Sequence, residues 1–206
     1  MHKKPAPVPF PQLPNRYPLA IEHTPHILAT ERRGSAMAPI SLNTQQEPRK
    51  SFPPHEDLLL TFQNYAASAS TAKALMEHIT QNLHEKMTRY NWVGFYLVDP
   101  TDSGMLLVGP YVGSFTPNAR IPLNTGLCGA AASTGRTVVV HDVSKDPRYL
   151  CGSPMVKCEI VVPIFVKKQL AAALDVESYF SGTFTKAEEI FVENCAALVG
   201  KYLART

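Results

Sequence analysis

The chain has 206 residues, a formal net charge of +3 and 18 prolines, eleven of which precede residue 55. The first 54 residues hold seven Lys or Arg and three Asp or Glu, a net charge of +4, so a charge of about −1 remains for residues 55–206. This nearly neutral region is long enough for one packed core and gives no electrostatic reason to expect a nucleic-acid partner. No apolar run approaches the roughly 18 residues of a membrane span, so we expect no membrane insertion.

The first 54 residues are predicted to form a disordered, proline-rich basic tail, because proline fixes φ and removes a backbone donor. Prolines and charges interrupt every candidate signal peptide. The tail is either a linker or an over-long gene start, with Met37 as an alternative first residue, or a ligand for a proline-binding domain.

Four cysteines without an export signal favour reduced or redox-active thiols in the cytoplasm over a structural disulfide framework. Their spacings do not fit a structural zinc site.

Two helices are predicted after the tail. The first covers residues 55–70, and the second covers 72–87, where apolar residues recur at i, i+3, i+4 and i+7. The apolar face of the second helix has two open interpretations: it packs on the sheet of its own chain, or it pairs with a second copy.

Six strands are predicted next, from short runs rich in aromatic and β-branched residues. They cover residues 91–98, 105–108, 120–123, 137–141, 159–166 and 170–176. A short helix covers 126–135, between the third and fourth strands, and a tight turn at 167–169 joins the last two. The order of elements predicts an α+β layer architecture.

The closing helix has the clearest start signal. Thr185 and Glu188 have the spacing of a capping box, in which each side chain satisfies an unpaired amide of the first turn. Its apolar stripe is predicted to contain Ala187, Ile190, Phe191, Cys195, Leu198 and Val199, with Cys195 as a packed small apolar residue.

Five ordered segments together resemble the GAF-domain free methionine-(R)-sulfoxide reductases over about residues 56–203. They are NWVGFY (91–96), RIPLNTGLCGAA (120–131), HDV (141–143), EIVVPI (159–164) and LDVES (174–178). The resemblance implies that residues 55–206 form a GAF domain, a six-stranded antiparallel sheet flanked by helices. It also implies a homodimer and a small closed pocket that binds the free amino acid, without a bound cofactor.

Sulfoxide reduction requires a thiolate that attacks sulfur and an acid that protonates the departing oxygen. A second cysteine then condenses with the resulting sulfenic acid, and a thioredoxin-type dithiol reduces the disulfide by exchange. Cys151 and Cys128 are the candidate catalytic thiols, and Cys128 matches a family position residue for residue. Cys158 is a possible additional thiol if it faces the pocket, and core filler if it does not.

Glu159, Asp175 and Glu177 align with the carboxylate cluster of the family. Grouped carboxylates in a closed pocket repel one another, so one stays protonated as an acid while others hold the substrate ammonium. The alternative is a solvated strand face. Trp92 and Tyr96 resemble the aromatic wall that holds the S-methyl group of the substrate, and ordinary strand packing is the alternative for them.

Three positions differ from the family pattern. The reductases place the catalytic cysteine seven residues before the glutamate, where this chain has Gly152, and Cys151 lies one residue earlier. Asn118 occupies the position of an upstream cysteine, and the usual Asp-x-Asp is Asp175-Val-Glu177. The leading prediction is an enzyme that reduces free L-methionine-(R)-sulfoxide, and a non-catalytic GAF module that binds a small ligand is the alternative.

Overall fold

The structure, a computed structural model, describes residues 54–205. The tail predicted at residues 1–54 therefore lies outside the described residues, except for Pro54. Four α-helices are described: α1 (Pro54–Ser68), α2 (Ala72–Lys86), α3 (Gly126–Thr134) and α4 (Lys186–Leu203). Six strands are described: β1 (Trp92–Asp99), β2 (Asp102–Val112), β3 (Arg120–Pro122), β4 (Val138–Val140), β5 (Cys158–Val166) and β6 (Gln169–Ser178).

The strands form one sheet in the order β3-β2-β1-β6-β5-β4, and every neighbouring pair is antiparallel. The predicted α+β architecture, a six-stranded antiparallel sheet flanked by helices, is confirmed. Helices α2 and α4 cover one face of the sheet, α1 packs against both of them, and together the three helices bury the larger part of the core. Helix α3 and the loops around it cover the opposite face, where a second apolar cluster surrounds the polar site.

The second helix packs its apolar face on the sheet of its own chain. Leu75, Ile79 and Leu83 are fully buried in the core that α2 shares with β1 and β2. This packing favours the first of the two interpretations of that face, because side chains already buried in the core are not available to a second copy.

Two local predictions were wrong. Strand β2 covers Asp102–Val112 rather than 105–108. It begins early because Asp99 Oδ1 accepts a hydrogen bond from the Thr101 backbone N at 2.8 Å and closes a tight turn, and it ends late because it pairs with β1 as far as Val112. Helix α4 is capped by Thr185, whose hydroxyl accepts from the Glu188 N at 3.4 Å. The Glu188 carboxylate does not complete the capping box.

Long-range partners explain the position of the Glu188 side chain. It accepts hydrogen bonds from the Tyr90 hydroxyl and from His55 Nε2. The buried stripe of α4 is also rotated from the predicted one, with Ile190 exposed. The side chains buried on this helix are Phe191, Val192, Cys195, Ala196 and Val199.

Candidate active site

Strands β5 and β6 bring three carboxylates to one face of the sheet. Glu159 is paired directly with Glu177 on the neighbouring strand, and Asp175 lies two residues before Glu177. Because successive side chains of a strand point to opposite faces, all three share the face that α3 covers. Glu159 and Asp175 are 5% and 4% exposed. The interpretation of these two residues as a solvated strand face is therefore wrong.

Helix α3 places Cys128 against this cluster. Cys128 is buried, and its Sγ donates a hydrogen bond to Asp175 Oδ2 at 3.7 Å. Two glycines allow this close approach. Gly126 has φ +75°, and a Cβ at Gly129 would lie 2.7 Å from the backbone carbon of Asn124. The Gly-Leu-Cys-Gly sequence thus positions the Cys128 thiol at the buried acid.

A small cavity lies between the carboxylates and the loops above them. Its volume is about 20 Å³, which is room for a single water molecule. An amino acid is several times larger, so the loops must move before one can enter. The lining side chains and glycine are Tyr96, Asn118, Ile121, Gly126, Leu127, Cys128, Leu150, Glu159, Asp175 and Glu177.

The two aromatic residues predicted for the site occupy different positions. Tyr96 lines the cavity, and its hydroxyl donates to the Asn118 carbonyl at 3.0 Å. Trp92 is buried behind it, with ring centroids 6.2 Å from Tyr96 and 5.4 Å from Tyr111. Trp92 therefore supports the wall, and Tyr96 forms the part of the wall that faces the cavity.

Burial and mutual repulsion dominate the electrostatics of the carboxylates. Burial, followed by the charges of its neighbours, raises the pKa of Glu159 well above its ordinary value, and the same causes raise the pKa of Asp175. Burial raises the pKa of Glu177 to about 7. The cluster titrates as a group and retains protons at neutral pH.

The neighbouring thiol and phenol stay protonated. Burial, and then the charges of Asp175 and Glu159, raise the pKa of the Cys128 thiol well above its ordinary value. Burial and the charge of Asp175 also raise the pKa of the Tyr96 hydroxyl. Cys128 is therefore a thiol, not a thiolate, in this arrangement, because a desolvated site beside acidic groups disfavours a negative sulfur.

Trp92 Nε1, a buried donor near the cavity, has no hydrogen-bond partner within residues 54–205. Asp175 accepts from Cys128 through Oδ2 and shares a side-chain hydrogen bond with Glu159, which requires a proton between the two carboxyl groups. An unsatisfied buried polar group costs about 1–3 kcal/mol. A ligand or water that accepts from Trp92 Nε1 would recover part of that cost.

The segment 146–157, which precedes β5, carries the other candidate thiol. Cys151 is exposed, whereas Leu150 before it lines the cavity. A Cβ built at Gly152 would lie 3.5 Å from Glu177 Oε1 and 4.0 Å from Thr116 Oγ1, both ordinary contact distances. The position that faces the acids is thus 152. The structure does not place the Cys151 thiol among the residues that line the cavity.

Cys158 faces the other side of the sheet. It is fully buried in the core beneath α1, α2 and α4, and its Sγ donates to the Phe180 carbonyl at 3.1 Å. The reason is strand alternation, since Glu159 points into the cavity and its neighbour must point away. Cys158 is therefore a core residue, and the interpretation of Cys158 as an additional thiol of the pocket is wrong.

The sequence did not single out the residues that close the cavity. In the sequence, Asn118 stands out only as a difference from the family pattern. No chemical signal marks the apolar residues Leu150, Leu127 and Ile121. Within the described part of the chain, no group of three or more His, Cys, Asp or Glu is arranged to hold a metal ion. No helix among residues 54–205 is long and apolar enough to cross a membrane.

Comparisons with known proteins identify the family to which this fold belongs. The model of the GAF domain family matches residues 71–203. The free methionine-R-sulfoxide reductase of Escherichia coli K12 is 30% identical over 152 residues, which cover 74% of this chain and 90% of the relative. The Saccharomyces cerevisiae protein of the same name is 30% identical over 154 residues, 71% and 83% of the two chains.

A solved structure extends the comparison to three dimensions. It is the X-ray structure of the Neisseria meningitidis free methionine-R-sulfoxide reductase in complex with its substrate. It has 30% identity and a TM-score of 0.69, and the match covers 73% of this chain and 90% of that one.

The sheet order, the helices on both faces and the family match define this chain as a GAF-domain protein. Within that class, the chain is 30% identical to the bacterial and yeast reductases over most of their length. The chain belongs to the family of GAF-domain free methionine-R-sulfoxide reductases.

Proposed function

We propose that this protein reduces free L-methionine-(R)-sulfoxide to L-methionine. The observation that carries the proposal is the buried cluster of Cys128 with Glu159, Asp175 and Glu177, beneath a loop that holds a second thiol. Such a cluster combines the acid, the anionic contacts and one of the two thiols that the reaction requires. The family membership supports the same reaction.

The carboxylates have two tasks in this proposal. The ammonium group of the free amino acid pairs with carboxylates of this cluster, whose ionised form the bound cation stabilises. Glu177, with a pKa of about 7, exchanges a proton readily at neutral pH and is the general acid for the sulfoxide oxygen. Tyr96, supported by Trp92, forms the wall against the S-methyl group.

The thiol chemistry uses Cys151 first and Cys128 second. The Cys151 thiolate attacks the sulfoxide sulfur, the S–O bond breaks, and the oxygen ends on Cys151 as a sulfenic acid while the sulfoxide is reduced to the thioether. The Cys128 thiol then displaces that oxygen as water and forms a disulfide. A thioredoxin-type dithiol reduces the disulfide by exchange and is itself oxidised.

This order follows from the protonation of Cys128 and the exposure of Cys151. The raised pKa of Cys128 makes it a poor first nucleophile, and in the second step its proton passes to Asp175, the acceptor of its hydrogen bond, as the sulfur attacks the sulfenic acid. Cys151 must turn inward for the first step. The backbone at Gly152 already faces Glu177, and consecutive Cα atoms are about 3.8 Å apart, so the required movement is local.

Three further parts of the proposal rest on family membership and cysteine usage. They are a homodimeric state, a cytoplasmic location and the thioredoxin-type reductant. No cofactor is required, since the electrons come from thiols.

A coupled assay tests the proposal. The protein is incubated with each epimer of free methionine sulfoxide, a thioredoxin system and NADPH. We expect NADPH consumption with the R epimer only, and its loss in Cys151→Ser. Consumption no greater than that of the Cys151→Ser control would contradict the proposal.

A non-catalytic GAF module that binds a free amino acid is the second candidate. The exposed Cys151 side chain and the glycine opposite Glu177 favour it. This candidate predicts that a protein with both Cys128→Ser and Cys151→Ser binds methionine sulfoxide as tightly as the unaltered chain in calorimetry, while the unaltered chain shows no turnover. Saturable binding by neither protein would exclude it.

A further inference from the structure

Two loops close the cavity, and one side-chain hydrogen bond joins them. The first loop, residues 113–119, connects β2 to β3, and the second is the segment 146–157. Asn118 Nδ2 in the first loop donates to the Leu150 carbonyl in the second at 3.3 Å. This bond spans 32 positions of sequence and lies one residue before Cys151.

Asn118 is itself held in place by the sheet and by its own loop. Its carbonyl accepts from the Tyr96 hydroxyl at 3.0 Å, and its backbone N donates to Thr116 Oγ1 at 3.2 Å. Tyr96 belongs to β1 and is buried, so the Asn118 backbone is fixed relative to the rigid sheet. The amide that reaches Leu150 therefore has a defined position.

Leu150 is held from its other side by α3. The first residue of that helix is Gly126, where a Cβ would lie 2.8 Å from Leu150 Cδ1. The leucine side chain thus packs directly on a glycine backbone, while its carbonyl is held by Asn118. The two contacts fix the orientation of the chain at residue 150.

That orientation determines which following residue faces the acids. Leu150 lines the cavity, Cys151 is exposed, and a side chain at position 152 would point to Glu177. Side chains that alternate in this way are expected of an extended chain. Turning Cys151 inward requires rotation of the Leu150–Cys151 peptide unit, whose carbonyl is the group that Asn118 holds.

We propose that Asn118 is a positioning residue that sets the register of the segment 146–157, that is, which of its side chains face the cavity. While its amide holds the Leu150 carbonyl, the Cys151 thiol stays outside the cavity, and release of this bond lets the thiol reach Cys128. The inference rests on the proposed function, since it assigns Cys151 the role of the thiol that must enter. The small cavity agrees with it, because an amino acid cannot enter unless the two joined loops separate.

The rate at which Cys128 and Cys151 form a disulfide reports which side chains of the segment 146–157 face the cavity. Its measurement requires no sulfoxide. Reduced full-length protein is treated with diamide, and peptide mass spectrometry follows the Cys128–Cys151 disulfide with time. Two thiols lose two electrons and two protons to the N=N bond of diamide, which becomes a hydrazine as the S–S bond forms. We expect Asn118→Ala to form the disulfide about fivefold faster than the unaltered chain, the factor expected for one net hydrogen bond.

A thiol moved to position 152 distinguishes a change in the register of the segment 146–157 from a general loosening of the two loops. Gly152 does not have a positive φ, so Gly152→Cys is free of that backbone strain. In a Cys151→Ser background, the thiol introduced by Gly152→Cys already faces the cavity. Its pairing with Cys128 should be fast and should change less than twofold when Asn118→Ala is added.

Two further variants complete the experiment. Asn118→Asp keeps the shape of the side chain but removes the donor, so it should also accelerate the Cys128–Cys151 pair if Asn118→Ala fails to fold. Asn82→Ala removes the same kind of bond, from an amide Nδ2 to a backbone carbonyl at 2.8 Å, within α2 and should change neither rate. Unchanged or slower Cys128–Cys151 pairing in both Asn118 variants, or equal acceleration of both disulfides, would overturn the proposal. Neither result depends on whether the protein reduces methionine sulfoxide.

Discussion

At the scale of single residues, the site is defined by a conflict between burial and charge. Three carboxyl groups share one closed face, and two of them are almost completely buried. A fold keeps such groups only when other interactions offset their desolvation, or when function requires them. The neighbours available within residues 54–205 are another acid, a thiol and a phenol, none of which carries a positive charge. A cationic ligand is the natural counterpart of this cluster.

The raised pKa of Glu177 has a consequence for stability. Its ordinary pKa is 4.5 and its pKa in the fold is about 7, so the folded state binds more protons than the unfolded chain between these values. The free energy of unfolding therefore falls as pH rises from about 5 to about 7, and the loss is complete above the folded pKa. Each pKa unit corresponds to about 1.4 kcal/mol, so the loss from Glu177 is about 3 kcal/mol.

Denaturant unfolding of Glu177→Gln as a function of pH tests this expectation. The decrease in the free energy of unfolding between about pH 5 and about pH 7.5 should be smaller than in the unaltered chain by about 2 kcal/mol. Glu85→Gln is the matched control, because Glu85 lies exposed on α2 and its pKa is lowered by Lys86. Parallel pH curves for all three proteins would contradict the assignment.

Some of the residues at the site were predictable from the sequence, and others were not. The carboxylates were predictable because strand alternation and chemical type are local properties. The burial of Cys158 followed from the same alternation once Glu159 was placed in the cavity. The role of Asn118 was not predictable, since its contact with Leu150 depends on two loops that meet only in the folded chain.

At the scale of elements, the hairpin of β5 and β6 carries all three carboxylates, and its turn sets their register. Lys167 and Lys168 have φ values of +50° and +68°, and Val166 is paired with Gln169 across them. Two consecutive residues of positive φ form the type I′ turn that suits the twist of a hairpin. Lysine is an unfavourable residue there, because its Cβ crowds the backbone in the left-handed region.

Lys168→Gly should therefore stabilise the protein. Glycine removes the steric cost of positive φ, and part of the gain is offset by the greater freedom of the unfolded chain. We expect the free energy of unfolding to rise by about 1 kcal/mol in denaturant titration. Lys157→Gly is the control, since Lys157 has no positive φ and should lose stability. A decrease in both variants would show that the turn is not strained.

Element boundaries were predicted less well than element types. The strands of the hairpin were found within two residues, because the polar run Lys167-Lys168-Gln169 separates two apolar segments. Strand β2 was predicted too short at both ends. Its first residues are polar and are ordered by the turn, and its last residues contain Gly109 and Pro110 and are ordered by pairing with β1. In α4, tertiary contacts of Glu188 with Tyr90 and His55 replaced the local capping pattern.

At the scale of the whole molecule, one sheet separates two environments. The face beneath α1, α2 and α4 holds the large apolar core, including Cys158 and Cys195. The face beneath α3 holds the acids, Cys128 and the two loops that close over them. Stability and chemistry are thus divided between opposite sides of the same strands. The fold and a small pocket were predictable as a whole from the ordered motifs, whereas the contact of Asn118 with Leu150 between the two loops was not.

The most direct test of the proposed function is a single turnover without any external reductant. Fully reduced protein is mixed with an excess of free methionine-(R)-sulfoxide, and both methionine and the cysteine state are measured by mass spectrometry. The proposal predicts about one methionine per chain, an equal amount of Cys128–Cys151 disulfide, and no reaction with the S epimer. Methionine no more abundant than in the Cys151→Ser control would contradict it.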